Sequence, residues 1–171
     1  MAGKIVAKVE RCIGCKACEL ACAVAHSTKR SVVEAVLAGE LPKKRIQVHQ
    51  VPGKKVPLNC NHCTNATCID YCITGAMHRR NDGIVTNEDG PSECNGCWMC
   101  IMSCPFGAII QDEETHKPIK CDQDCLREHK IPRCVQACPT KALLYWQVDD
   151  LKAEAIRNAK NKIDQLYNHN S

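Results

Sequence analysis

Sixteen of the 171 residues are cysteine, and they fall into four quartets with almost regular internal spacing. The first is Cys12, Cys15, Cys18 and Cys22, and the second is Cys60, Cys63, Cys68 and Cys72. The third is Cys94, Cys97, Cys100 and Cys104, and the fourth is Cys121, Cys125, Cys134 and Cys138. Quartets one and three carry the C-x2-C-x2-C-x3-C run that wraps a cubane iron–sulfur cluster, and the third ends in Cys104-Pro105. That spacing lets one turn present successive sulfurs to a single cube. All sixteen cysteines are therefore candidate metal ligands, enough for four 4Fe–4S clusters.

Other uses of so many thiols fit less well. Disulfides need an oxidising compartment, usually reached through a signal peptide. Here Met1-Ala2-Gly3-Lys4 leads into a short alternating stretch, Ile5 to Val9, with no apolar h-region. Neither Lys29-Arg30 nor Arg79-Arg80 is followed by an apolar run, as a twin-arginine signal would be. A zinc-bound structural module would favour paired C-x2-C hooks separated by a loop. No stretch reaches the 18 or so apolar residues of a membrane span, so the chain is expected to be soluble and cytoplasmic, in a reducing, anaerobic cell. Aromatics make up only 4%, with a single Phe, so the apolar core must be thin. Metal clusters would then staple the fold, and folding would be coupled to their insertion. The formal charge of +4 misleads, because four cubes with their thiolates bring the holo-protein to about −4. Nucleic acid is not an expected partner, since no aromatic-rich basic surface accompanies the charge.

The gaps between quartets predict how they pair. In two-cluster ferredoxins the fourth Cys of each run ligates the other run's cluster. Between Cys72 and Cys94 lie 21 residues, which suit a hairpin and a short helix; between Cys22 and Cys60 lie 37, too many for the same compact link. Quartets two and three should thus form an inner module (59–104), nested in an outer one (1–58 and 105–148) made of quartets one and four. The expected ligand sets are Cys12, Cys15, Cys18 with Cys138; Cys121, Cys125, Cys134 with Cys22; Cys60, Cys63, Cys68 with Cys104; and Cys94, Cys97, Cys100 with Cys72. The fold class is α+β: two nested bacterial-ferredoxin-like modules of short β-hairpins, short helices and Cys-rich loops. Asn81-Asp82-Gly83 marks a hairpin over 76–86, and strand-like pieces follow the third and fourth quartets at 106–110 and 140–146. The long gap holds an insertion at 31–51. Ser31 and Glu34 form a capping box opening a helix over 32–38 that stops at Gly39, and 45–51 alternates as a half-buried strand. Residues 149–171 read as a C-terminal amphipathic helix.

Few other residues invite chemistry. Gly14 and Gly96 sit between ligands, where a small residue lets backbone N–H groups approach sulfur. Ile13, Ile69, Ile101, Val135, Pro105, Phe106 and Pro139 are expected to form a dry shell, and Trp98 to shield rather than conduct. His62 is not needed as a ligand, and the other six histidines are expected at the surface. Lys43-Lys44-Arg45 and Lys54-Lys55 read as solvated loops before they read as a docking patch. No nucleophile–base pair, P-loop or dinucleotide fingerprint is present, so no catalytic residue is assigned and the chain is expected to move electrons rather than transform a substrate.

Nearly the whole chain resembles the four-cluster ferredoxin subunits that include the electron-transfer subunits of dimethyl sulfoxide reductase and formate dehydrogenase. Three stretches carry a narrower resemblance, to carbon monoxide dehydrogenase iron–sulfur proteins of the CooF type: Cys15-Lys16-Ala17-Cys18-Glu19-Leu20-Ala21-Cys22-Ala23-Val24-Ala25-His26-Ser27, Cys94-Asn95-Gly96-Cys97-Trp98-Met99-Cys100 and Cys104-Pro105-Phe106-Gly107. The resemblance implies a relay from carbon monoxide dehydrogenase as donor to a hydrogenase or a flavin-dependent NAD(P) reductase as acceptor. The alternative is an electron-transfer subunit of a molybdenum or tungsten oxidoreductase, a formate dehydrogenase or a hydrogenase. Two departures stand out: Cys121-x3-Cys125 where the family has x2, and Ile73 where Pro commonly follows the second quartet.

Overall fold

The alternating stretch near the N-terminus becomes strand β1 (Lys4–Ala7), and its partner comes from the far end of the sequence. β8 (Leu143–Trp146) pairs with it antiparallel, Ile5 opposite Tyr145 and Ala7 opposite Leu143. The pairing buries Ile5 and Leu143 on one face. The computed structural model describes residues 3–147, 152 and 155–161. Of the C-terminal amphipathic helix expected over 149–171, residues 155–161 are helical and exposed, and the remainder lies outside the described residues apart from Lys152.

Between those two strands the chain makes short ribbons and shorter helices. α1 (Ala17–Ala25) starts inside the first quartet and carries Cys18 and Cys22 four residues apart, hence on one face. That face packs against α5 (Arg133–Gln136), which carries Cys134. In the inner part, α3 (Thr67–Asp70) packs against α4 (Met99–Ser103), and the Thr67 hydroxyl ties the two by donating to the Ser103 carbonyl at 2.8 Å. The hairpin expected over 76–86 forms from β4 (His78–Arg79) and β5 (Val85–Thr86). A hairpin not anticipated, β6 (Ile110–Asp112) with β7 (Lys117–Ile119), follows the third quartet.

The insertion departs from its sequence reading in three ways. α2 (Val32–Leu37) forms and ends at Gly39 with φ +67°, but the Ser31 side chain makes no capping hydrogen bond. Ser31 sits at the N-cap in extended backbone, and the expected reciprocal box does not close. The strand is β2 (Gln47–Val51), two residues shorter than its alternation. Arg45 is drawn out of register because its N–H donates to Cys22 Sγ at 3.2 Å and its guanidinium pairs with Asp122. Finally, Lys54 and Lys55 lie not in a loop but in β3 (Lys54–Leu58), paired with β2.

Thiols supply much of the core. One buried cluster joins Ile5, Ile46, Ala142 and Leu143 to Cys18, Cys22, Cys121, Cys134 and Cys138. A second joins Ala66, Met77, Val85 and Ile109 to Cys100, with Cys68, Cys72 and Cys104 packed against it. The expected dry shell holds only in part. Ile69, Ile101 and Val135 are half-buried, whereas Ile13, Pro105, Phe106 and Pro139 are exposed. Ile13 is 64% exposed although it lines a cavity with Cys12, Cys15 and Cys18.

Candidate metal centres

The four cysteine loops share a backbone device. In each quartet the second residue after the first Cys has positive φ: Gly14 at 74°, His62 at 45°, Gly96 at 72° and Gln123 at 58°. This left-handed residue turns the loop so that the next sulfurs face inward. At Gly96 a side chain is also blocked by space, since a Cβ there would sit 2.6 Å from the His116 carbonyl oxygen. In quartets one and three a second left-handed residue, Lys16 or Trp98, opens the helix that follows. The additional residue in Cys121-x3-Cys125 falls after the shared turn, so that loop starts as the others do.

Two cavities are lined by sulfur. One is bounded by Cys12, Cys15, Cys18 and Cys138, together with Val48, Pro57 and Leu143. The other is bounded by Cys72, Cys94, Cys97 and Cys100, with Trp98, Met77 and Pro118 around them. Each thus combines three cysteines of one quartet with the last of another. Several of the remaining thiols lie close enough to raise one another. Burial pushes Cys121 up to about 12, and Cys22, Cys60 and Cys125 add to the rise. Cys134 is pushed up by burial and by Cys121, Cys22, Cys125 and Cys18. Cys68 rises to about 11 through burial and through Cys60 and Cys104.

Buried thiols of this kind do not ionise on their own, and they become thiolates when a metal replaces the proton. Cys72 and Cys138 are prepared differently. Burial raises both, but hydrogen bonds outweigh it and leave both below the ordinary thiol value. The Met77 N–H donates to Cys72 Sγ at 3.2 Å and the Ala142 N–H to Cys138 Sγ at 3.2 Å. The Thr74 and Thr140 hydroxyls lie 3.9 and 3.8 Å from the same sulfurs. N–H groups on sulfur are what a thiolate bound to iron accepts, so the donor set suits a soft metal cluster.

A belt of charge runs between the sulfur groups, and the sequence reading missed it. Lys43 bridges Asp112 and Glu114, and Lys44 reaches Glu19, each at 2.5 Å. Arg45 pairs with buried Asp122 and lies 3.5 Å from Glu88. The basic run, which by sequence reads first as a solvated loop, is therefore neutralised within the chain. His26, expected at the surface, has a side chain only 10% exposed; its Nε2 lies 3.4 Å from Asp122 and its Nδ1 is 2.8 Å from the Cys22 carbonyl. Glu88, Asp122 and Asp124 bring three carboxylates together, but Arg45 and Arg80 face them, which makes this an ion-pair network. Arg45→Ala strands Asp122 as a buried charge, and the variant should lose about 3–5 kcal/mol of stability. Anaerobic denaturant titration of the metal-loaded protein checks this, and an unchanged midpoint would contradict it.

The comparisons with known proteins agree with the donor set. The family model for the 4Fe-4S dicluster domain matches residues 51–148. The chain belongs to the 4Fe-4S dicluster family. The "Iron-sulfur protein" of Rhodospirillum rubrum is 37% identical over 171 residues, covering 91% of this chain and 87% of that one. A polypeptide of the anaerobic dimethyl sulfoxide reductase of Escherichia coli is 37% identical over 150 residues, covering 83% of this chain and 72% of that one. "Protein NrfC" of Escherichia coli is 33% identical over 165 residues, covering 91% and 70% respectively. As a dicluster protein the chain holds 4Fe–4S clusters and works in electron transfer, not catalysis. Its thiols fit that group, whose iron supplies the one-electron redox chemistry when bound. Among the described residues no helix is long and apolar enough to cross a membrane.

Proposed function

We propose that this protein is the electron-transfer subunit of an oxidoreductase complex and passes single electrons along four 4Fe–4S clusters. The observation that carries the reading is the pair of sulfur-lined cavities, each built from three cysteines of one quartet and the last of another. Their membership supports the ligand sets Cys12, Cys15, Cys18, Cys138 and Cys94, Cys97, Cys100, Cys72. The mutual influence of Cys22, Cys121, Cys125 and Cys134, and of Cys60, Cys68 and Cys104, supports the other two, with Cys63 completing the last. The pairing of β1 with β8 and of α1 with α5 supports an outer module of quartets one and four around an inner one of two and three.

Neighbouring thiols suggest one order along the wire. Cys18 acts on Cys134, Cys60 on Cys121, and Cys68 on Cys100. The terminal clusters would then be those of Cys15 and Cys97, the two cysteines that are exposed. Clusters at the surface are where partners exchange electrons, and buried ones between them carry the charge across.

The complex is the finer question. The relative from a dimethyl sulfoxide reductase favours a molybdenum or tungsten oxidoreductase as partner. The three stretches around Cys15–Ser27, Cys94–Cys100 and Cys104–Gly107 favour a narrower second reading. In it this chain is cytoplasmic, carbon monoxide dehydrogenase donates, and a hydrogenase or flavin-dependent NAD(P) reductase accepts. One anaerobic assay separates them by following cluster absorbance. Dithionite-reduced protein should regain its colour with a molybdenum catalytic subunit and its oxidised substrate. Oxidised protein that bleaches only with CO and catalytic amounts of carbon monoxide dehydrogenase would establish the second reading instead. A protein that binds no iron under anaerobic reconstitution would end both.

A further inference from the structure

Lys120 is a buried cation without an anion. Its residue is 3% exposed, and its ammonium donates to two backbone carbonyls, that of Val85 and that of Cys121, the latter at 3.2 Å. Among the described residues no carboxylate lies within ion-pair distance of it, although Lys43, Lys44, Arg45 and Arg80 all have one. Two carbonyls alone are poor compensation for a charge taken out of water, so a buried ammonium of this kind calls for a counter-charge nearby.

The surroundings indicate where that counter-charge sits. Lys120 precedes Cys121 and reaches across to Val85 on the β4–β5 hairpin, between the fourth quartet and the second. Its charge is felt by Cys68, opposing that thiol's rise, and by His62. His62 is itself buried, and its Nδ1 accepts the Val85 N–H at 3.1 Å. The imidazole proton therefore rests on Nε2, which is buried and has no hydrogen-bond partner. Burial first, and then Lys120, hold this imidazole neutral. A second cation, Arg79, lies on the outer side of the second quartet, where its guanidinium donates to the Cys63 and Thr64 carbonyls, but unlike Lys120 it is exposed. A cation lacking an anion thus sits between Cys121 and Val85, and Val85 packs in one cluster with Cys68 and Cys104.

We propose that Lys120 is the fixed counter-charge of the cluster held by Cys60, Cys63, Cys68 and Cys104 and raises that cluster's reduction potential. The proposal rests on the ligand set given under the proposed function. The step is the addition of one electron to the cube, which with its thiolates passes from about −2 to about −3 without taking up a proton. A nearby ammonium stabilises the more negative form more strongly than the less negative one, so its removal must make reduction harder.

The test compares wild type, Lys120→Gln and Lys120→Arg as anaerobically reconstituted holo-proteins, by iron and sulfide content and by potentiometric titration read by electron paramagnetic resonance. Glutamine can still donate to the two carbonyls but carries no charge, and arginine keeps the charge. Expected is a full complement of iron in Lys120→Gln with one reduction step moved negative by a tenfold or larger change in its equilibrium constant, which is about 59 mV for one electron. Lys120→Arg should return that step toward wild type. Loss of one cluster from Lys120→Gln but not from Lys120→Arg would equally assign the effect to charge. Full iron with unmoved potentials in Lys120→Gln overturns the proposal, as does cluster loss in both variants, which would make Lys120 a structural clip. Wild-type protein with fewer than four cubes would instead refute the ligand sets, and the two failures are distinguished by that control.

Discussion

Anaerobic extraction of iron should unfold this chain. The first core cluster counts five cysteines among its nine buried members, and only Ile5, Ile46 and Leu143 are large apolar side chains. Among the described residues nothing else is long enough to stand alone. The strands run from two to five residues in isolated two-stranded ribbons, and such hairpins are marginal in water. The helices span four to nine residues, below the length at which an isolated helix persists. A structural zinc contributes about 10–16 kcal/mol to a small domain, comparable to the whole stability of a typical one, about 5–15 kcal/mol. Four cubes with four thiolates each should contribute no less. The expected result after chelation under reducing conditions is loss of far-ultraviolet circular dichroism, an expanded hydrodynamic radius and no cooperative thermal transition. An apo-protein that keeps its native spectrum and melts cooperatively would show that the apolar contacts suffice.

Cys138→Ser should remove the cluster of the first quartet and spare that of the fourth, to which Cys138 belongs in sequence. Cys138 lines the same cavity as Cys12, Cys15 and Cys18. The effect is large because the sulfur receives the Ala142 N–H and sits near the Thr140 hydroxyl, a prepared thiolate site that serine fills poorly. Iron and sulfide should fall by about one cube of the four, the stoichiometry set by four thiolates per cluster. Cys22→Ser is the reciprocal variant and should remove the cluster of Cys121, Cys125 and Cys134. Paramagnetic resonance of the two reduced variants should therefore lose different signals. Loss of the same signal in both, or of the fourth quartet's cluster from Cys138→Ser, would refute crossed ligation.

Much of this was legible from spacing, because ligand chemistry imposes a period that side-chain packing does not. The quartets and the 76–86 hairpin could be read from local residues. The turn that opens each cysteine loop was half legible: Gly14 and Gly96 announce positive φ, whereas His62 and Gln123 adopt it without any such signal. The charge belt was illegible for another reason. Arg45 and Asp122 are distant in sequence and adjacent in space, so a basic run looks solvated until its partners fold against it. Ile13 lines the cavity of the first quartet as its position beside Cys12 leads one to expect, yet it and Phe106 stay largely exposed, because neighbours in sequence do not say how much solvent a loop admits. Burial of Lys120 could not be anticipated, since a lysine next to a ligand is ordinarily exposed.

The ribbon that joins β1 to β8 also orders events during synthesis. Chains emerge from the ribosome N-terminus first, and early segments fold as soon as their partners exist. Lys4–Ala7 must wait for Leu143–Trp146, nearly the whole described length, before its backbone is paired. The cysteines beside it wait as well, whereas the set from Cys60 to Cys104 is complete before Cys121 has been made. A nascent chain of this kind exposes its first-made thiols longest, and the last of the described strands is the one that closes them in.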